Sequence, residues 1–124
     1  YNIPIWLSLI SKDKYNLLDG SSYEKVFELF KPFSIDHLLI NCNTMDLTID
    51  MCDQIHSAWS QKWGVYPNLG KTNYENDYLN IISDSNLNDG MISLLSKEPN
   101  VIGLCCGSTP FHIKYLKSLI KSTR

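Results

Sequence analysis

Three of the four cysteines follow apolar runs that predict β-strands. Cys105 ends the predicted strand 101–105, with Cys106 beside it, and Cys42 ends the predicted strand 38–42. The carboxyl ends of parallel strands are where open α/β sheets bind their ligands. Three thiols at the ends of two such strands are what a zinc site with one open position requires.

A zinc ion held by three thiolates would activate a further thiol. Thiolates are soft ligands that favour zinc over magnesium or calcium, and the fourth position on the metal stays open for substrate. A substrate thiol there would lose its proton at neutral pH and become a nucleophile suited to displacement on an activated methyl group. The alternative interpretation of adjacent cysteines at a strand end is that they are part of the core.

The composition is that of one globular unit, residues 1–124. The chain is 44% apolar and carries a formal net charge of −2, so it can form a core but lacks the basic field that nucleic acid requires. No apolar stretch approaches the roughly 18 residues of a membrane span, and the first residues lack signal-peptide features. Because four cysteines are too few for a disulfide scaffold, we expect a cytoplasmic protein with metal-binding or catalytic cysteines.

Apolar periodicity predicts alternating strands and helices along the chain. The predicted strands are a buried strand at 3–10, a second at 38–42 covered on both faces, a third at 64–68 and a fourth at 101–105. Helices are expected from a Ser21/Glu24 capping box to Pro32, over 45–63, for two turns around 91–95, and from Pro110 onward with Ile113 facing inward. A long loop is expected at 71–89, with a short helix near 78–82. This alternation predicts a parallel sheet, either doubly wound or part of a barrel.

The remaining candidate residues have simpler structural interpretations. Cys52 belongs to the apolar stripe of the predicted helix 45–63 and is expected to be a small buried hydrophobe. His112 lies one turn into the last helix and is expected to face away from the three thiols. His37 and His56 are isolated and are expected to be surface or hydrogen-bonded histidines.

Four segments resemble motifs of the homocysteine S-methyltransferase family, in the order that the family has them. The most specific is Gly103-Leu104-Cys105-Cys106-Gly107-Ser108-Thr109-Pro110-Phe111-His112-Ile113, which is similar to the family's Gly-Gly-Cys-Cys-Gly-Thr-Thr-Pro-x-His-Ile. Upstream, Ile40-Asn41-Cys42 resembles its Val-Asn-Cys segment, and Tyr66-Pro67-Asn68-Leu69-Gly70 resembles its Tyr-Pro-Asn-x-Gly turn. The strand Trp6-Leu7-Ser8-Leu9 with Leu18-Asp19-Gly20 is similar to the strand and turn that precede the first cysteine.

The resemblance implies a (β/α)8 TIM barrel that binds Zn²⁺ through Cys42, Cys105 and Cys106. It implies homocysteine as the fourth ligand and methionine as the product, with S-methylmethionine or S-adenosylmethionine favoured as the methyl donor. Asn68 would orient the substrate or a ligand, or act as a turn former after Pro67, and Asn41 has the same two interpretations.

The resemblance covers only the C-terminal half of such a barrel. The four predicted strands correspond to strands five to eight, so the chain is expected to be the C-terminal portion of a homocysteine-binding domain. Half a barrel would have two unpaired edge strands, which can pair with another chain. The expected partner is therefore an N-terminal half-barrel or a second copy.

Two other functions stay open on the sequence. The chain could be a non-catalytic, truncated relative that binds zinc or thiols. It could also be a dithiol redox protein with a flavodoxin-like sheet and a reversible Cys105–Cys106 or Cys42–Cys105 disulfide, although the chain has no Cys-x-x-Cys motif.

Overall fold

Four β/α units follow one another in the computed structural model, which describes residues 3–70 and 81–122. The elements in chain order are β1 (Trp6–Leu9), α1 (Tyr23–Phe30), β2 (His37–Thr44), α2 (Met45–Ala58), β3 (Trp63–Asn68), α3 (Asp84–Ser96), β4 (Val101–Ile102) and α4 (Pro110–Ser122). The predicted α/β alternation is confirmed.

The strands form one parallel sheet in the order β1-β2-β3-β4. Each strand therefore pairs with the next one along the chain, and the order never reverses. A doubly wound sheet needs a reversal at its switch point, whereas a TIM barrel adds each strand beside the last. The strand order is thus consistent with part of a TIM barrel.

The four helices pack on one face of the sheet. The strand residues in the core cluster or packed against it alternate along each strand: Leu7, Leu9, Leu38, Ile40, Trp63, Val65 and Ile102. The opposite face, which we call the inner face, carries Ser8, Leu39, Asn41 and Tyr66, and none of these four belongs to that cluster. The expectation that β2 is covered on both faces holds for its centre, because Leu38 and Ile40 are fully buried on the helix side and Leu39, on the inner face, is also buried.

The strand predictions at the two edges of the sheet need correction. The predicted buried strand 3–10 is the four-residue strand β1, whose Trp6 is 54% exposed. The predicted strand 101–105 has regular strand structure only over Val101–Ile102. Both are edge strands with a neighbour on one side, so neither has the burial of β2 or β3.

The helices depart from prediction mainly at their ends. The N-cap of α1 is Ser22, whose hydroxyl accepts from the Lys25 amide, so the predicted Ser21/Glu24 capping box is wrong by one residue. Helix α2 ends at Ala58, and α3 begins at Asp84 inside the predicted loop 71–89. Residues 71–80 of that loop, and most of the predicted helix near 78–82, lie outside the described residues.

The last helix begins at Pro110, as predicted, but its inward face differs. Leu116 is buried, whereas Ile113 is 47% exposed. Ile113 therefore lies outside the apolar stripe that the periodicity suggested.

Candidate metal centre

The first thiol lies at an irregularity in β2. Asn41 pairs with Tyr66 and Thr44 pairs with Asn68, so β2 has three steps where β3 has two. The extra residue makes a β-bulge, and Cys42 adopts a left-handed backbone conformation there, with φ of 56°. Regular alternation would place Cys42 on the helix-covered face, two residues after Ile40. The bulge instead turns the thiol toward the carboxyl edge of the sheet.

The other two thiols lie where the hydrogen bonding between β3 and β4 continues beyond the regular strand. The Cys105 amide donates to the Pro67 carbonyl at 2.8 Å, and the Leu69 amide donates to the Cys106 carbonyl at 2.8 Å. Gly107 follows with φ of +78°. The end of β3 and the turn that follows it therefore hold the backbone of both cysteines.

The three sulfurs lie within metal-binding distance of one another. Cys42 Sγ is 3.4 Å from Cys106 Sγ, Cys105 Sγ is 3.9 Å from Cys106 Sγ, and all three atoms lie within 4.8 Å. Tetrahedral zinc with Zn–S bonds of about 2.3 Å places its sulfur ligands about 3.8 Å apart. The donor set therefore fits zinc in both chemistry and spacing.

The surroundings of Cys42 disfavour ionisation of its thiol. Burial raises the pKa of Cys42 to about 12, and hydrogen bonds and charge interactions with Cys105 and Cys106 act in the same direction. Thiolates this close repel one another, because each added negative charge raises the cost of the next. A divalent cation at the centre would remove that repulsion and favour the deprotonated sulfurs.

The two predicted substrate residues lie near the cluster but differ in what they contact. Asn68 is buried, and its Oδ1 accepts from the Gly70 amide at 2.7 Å, which is a turn-forming role. Asn41 is half-buried on the inner face, paired with Tyr66 and next to Cys42. A role for either residue in binding substrate stays a prediction.

His112 is buried in a helix cap. Its Nδ1 lies 2.9 Å from both the amide nitrogen and the hydroxyl oxygen of Thr109, and it accepts from the amide. The acceptance of the N-cap amide by the N3 side chain is one half of a capping box, with histidine in place of glutamate. In the described part of the chain, the cluster of candidate metal ligands is made of cysteines alone, and His112 is not in it.

Of the remaining predictions, those for Cys52 and His56 are confirmed and the one for His37 is wrong. Cys52 is fully buried, as predicted, and donates to the Thr48 carbonyl at 3.2 Å. His56 is exposed, as expected. His37 is half-buried, and its Nδ1 is buried without a hydrogen-bond partner among the described residues, so its prediction is wrong. The centroid of its ring lies 4.5 Å from that of the Trp6 ring.

Three candidate residues were missed by the sequence reasoning. The hydroxyls of Ser8 and Tyr66 are hydrogen-bonded to each other although their strands are not neighbours. The Tyr66 side chain therefore crosses β2 on the inner face. Asn43, beside Cys42, is buried and bonded to Ser11. The quoted motifs contain Ser8 and Tyr66, but only the register between strands brings the two together.

Comparison with known proteins identifies the family. A parallel β/α protein with a thiol cluster at the carboxyl edge of its sheet is the class that fold and site define. The family model described as homocysteine S-methyltransferase matches residues 1–120. The chain therefore belongs to the homocysteine S-methyltransferase family.

Solved structures of the homocysteine methyltransferase MmuM from Escherichia coli contain a region with the same fold as this chain. Its oxidized, apo and metallated forms give TM-scores of 0.74, 0.73 and 0.74, at identities of 24%, 25% and 25%. The alignments cover 94%, 93% and 94% of this chain but only 36%, 39% and 35% of the MmuM chains. This chain thus spans little more than a third of their length.

Two further comparisons gave negative results. No curated protein matches the chain. Among the described residues, no helix has the length and apolar character needed to cross a membrane.

Proposed function

We propose that the chain is the C-terminal half of a (β/α)8 homocysteine S-methyltransferase domain. The domain transfers a methyl group from a sulfonium donor, S-methylmethionine or S-adenosylmethionine, to homocysteine and yields methionine. The observation that carries the proposal is the convergence of Cys42, Cys105 and Cys106 at one edge of the sheet, in a chain of this family. Because thiol ligands need a reducing compartment, the proposal includes a cytoplasmic location.

The three cysteines would hold zinc in this proposal. When bound, zinc would supply Lewis acidity at its open fourth position, which lowers the pKa of a substrate thiol there. In the transfer itself, the homocysteine sulfur bonds to the methyl carbon while the donor's sulfonium–methyl bond breaks. The donor leaves as a neutral thioether, and the thiol proton passes to solvent.

The inner face of the sheet would form one wall of the substrate site. Asn41 lies on this face beside the first thiol, and the hydrogen-bonded Ser8–Tyr66 pair crosses it toward β1. Asn68 fixes the turn that contacts the Cys106 backbone, so its contribution is to position the thiols. These residues support orientation of a polar amino acid near the sulfurs.

The rest of the barrel would come from another segment or chain. Strands β1 and β4 are at the edges of the sheet, and the four inner-face residues lie outside the core cluster. An N-terminal half-barrel would pair with both edges and enclose the inner face, and a second copy of this chain is the alternative partner.

A metal-content measurement tests the site directly. Protein purified under reducing conditions is expected to contain one zinc per chain. Cys106→Ser is expected to lose the metal, because two thiolates and a hydroxyl bind zinc more weakly. Cys52→Ala is the matched control, since Cys52 is a buried cysteine outside the cluster and its loss is expected to leave zinc bound.

Turnover separates an enzyme from a non-catalytic zinc-binding relative. Methionine formation from homocysteine and S-methylmethionine is expected only when an N-terminal half-barrel of the family is added. Zinc binding without turnover under either condition would instead favour the non-catalytic module.

A dithiol redox function is the second candidate, supported by the short distance between Cys42 Sγ and Cys106 Sγ. This pair differs from the two pairs expected from the sequence. Reduced protein that contains no metal, together with a reversible Cys42–Cys106 disulfide, would replace the methyltransferase proposal with this one.

A further inference from the structure

The backbone at Cys42 needs something to hold it. A left-handed conformation is unfavourable for residues other than glycine, because the Cβ approaches the following carbonyl oxygen. Cys42 has φ of 56° in the middle of a strand. Such a conformation persists only where the surrounding contacts determine it.

The neighbouring side chain makes those contacts. Asn43 is 6% exposed, and its amide group forms a pair of hydrogen bonds with the backbone of Ser11. Asn43 Oδ1 accepts from the Ser11 amide at 3.0 Å, and Asn43 Nδ2 donates to the Ser11 carbonyl at 2.8 Å. Two opposed hydrogen bonds fix the orientation of the Asn43 side chain, and so the backbone next to Cys42.

The pair of hydrogen bonds between Asn43 and Ser11, which we call the anchor, is held in place by contacts on both sides. Ser11 Oγ and the Tyr23 hydroxyl are hydrogen-bonded at 2.5 Å, which ties the segment after β1 to helix α1. Thr48 is fully buried and donates to the Thr44 carbonyl at 2.8 Å, so the first turn of α2 holds the other end of the bulge. Asn43 thus connects Cys42 to elements far from it in the chain.

We infer that Asn43 is a positioning residue for the thiol cluster. Its hydrogen bonds to Ser11 hold the β2 bulge in the conformation that directs Cys42 Sγ toward Cys105 and Cys106. This inference rests on the proposed function only in treating Cys42 as a metal ligand. The placement of the thiol itself does not depend on the metal.

The test compares Asn43→Ala with Ser11→Ala in the full chain. Ser11→Ala is a matched control, because it removes the hydroxyl contact to Tyr23 but keeps the backbone groups that bond to Asn43. Asn43→Ser is a second variant that shortens the side chain with less loss of polarity, in case the alanine variant does not fold. Urea unfolding midpoints rank the three variants by stability.

Zinc affinity, measured by competition with a chromophoric chelator, is the first readout. Without the anchor, metal binding must restore the left-handed conformation, so Asn43→Ala and Asn43→Ser are expected to lose about 5- to 30-fold in affinity. Ser11→Ala keeps both hydrogen bonds to Asn43 and loses only the support from Tyr23, so it is expected to lose less affinity than either Asn43 variant. Affinity losses that follow the unfolding midpoints across all three variants, or no loss in either Asn43 variant, would overturn the inference.

The second readout works without metal. The equilibrium between the reduced thiols and the Cys42–Cys106 disulfide, measured against glutathione with the bond mapped by mass spectrometry, reports how well the two sulfurs are held together. The Asn43 variants are expected to shift this equilibrium toward the reduced form by the same factor. Wild-type protein that binds no zinc would refute the proposed metal site, whereas an unshifted disulfide equilibrium would refute the role of Asn43.

Discussion

Replacement of Gly107 by alanine is expected to destabilise the fold and to displace Cys106. Gly107 has φ of +78°, and a Cβ there would lie 2.9 Å from the Gly70 amide nitrogen and 3.3 Å from the Leu69 carbonyl carbon. Both are backbone atoms, and they cannot shift easily because the Leu69 amide is hydrogen-bonded to Cys106. The added methyl group is therefore expected to push the backbone at Gly107 away from Leu69 and Gly70 and to displace the neighbouring Cys106.

The expected magnitude has two parts, and the chain offers a control that separates them. The positive φ alone costs alanine about 1–2 kcal/mol relative to glycine. The overlap with the Gly70 and Leu69 backbone adds about 1–3 kcal/mol, as overpacking does in protein cores. Gly20 has φ of +88°, and a Cβ added there would have no atom within 4 Å, so Gly20→Ala should show the first part only.

The assay is urea unfolding of both variants, with zinc affinity measured on each. Gly107→Ala is expected to lower the free energy of unfolding by about 2–5 kcal/mol and to weaken zinc binding, and Gly20→Ala by about 1–2 kcal/mol with zinc binding unchanged. Equal losses of stability in the two variants would show that the close approach to Gly70 has no energetic consequence. Unchanged zinc affinity in Gly107→Ala would show that the conformation of this turn does not affect metal binding.

Two further predictions concern thiol chemistry. Mild oxidation of metal-free protein is expected to form a Cys42–Cys106 disulfide, because these sulfurs are 3.4 Å apart, and peptide mapping that finds Cys105 bonded instead would contradict the geometry. Burial raises the pKa of Cys52 to about 12, so iodoacetamide at about pH 8.5 should modify Cys52 only after unfolding. Because the unfolded thiol ionises near pH 8.5, the stability contributed by this raised pKa is present below that pH and is lost as the pH rises toward about 12. Unfolding midpoints of wild type and Cys52→Ala between about pH 7 and pH 10 check the sign, and parallel curves would refute it.

Local sequence patterns predicted most of the elements because their causes are local. Apolar runs and turn residues located the four strands, and Thr109-Pro110 located the start of α4. The predictions failed where the cause lies elsewhere in the chain. Trp6 is exposed because β1 has a neighbour on one side only, and the Nδ1 of His37, whose ring lies against Trp6, is buried without a hydrogen-bond partner among the described residues.

The sequence by itself determined the identity and order of the thiols, since the motifs around Cys42, Cys105 and Cys106 depend on residues adjacent in the chain. It also determined that the sheet is parallel, because strands and helices alternate. The tertiary structure alone decided where the first thiol points. Strand alternation sends Cys42 toward the helices, and a left-handed bulge anchored by Asn43 on Ser11 turns it toward the other two. Those hydrogen bonds join segments far apart in sequence, so no local pattern contains them.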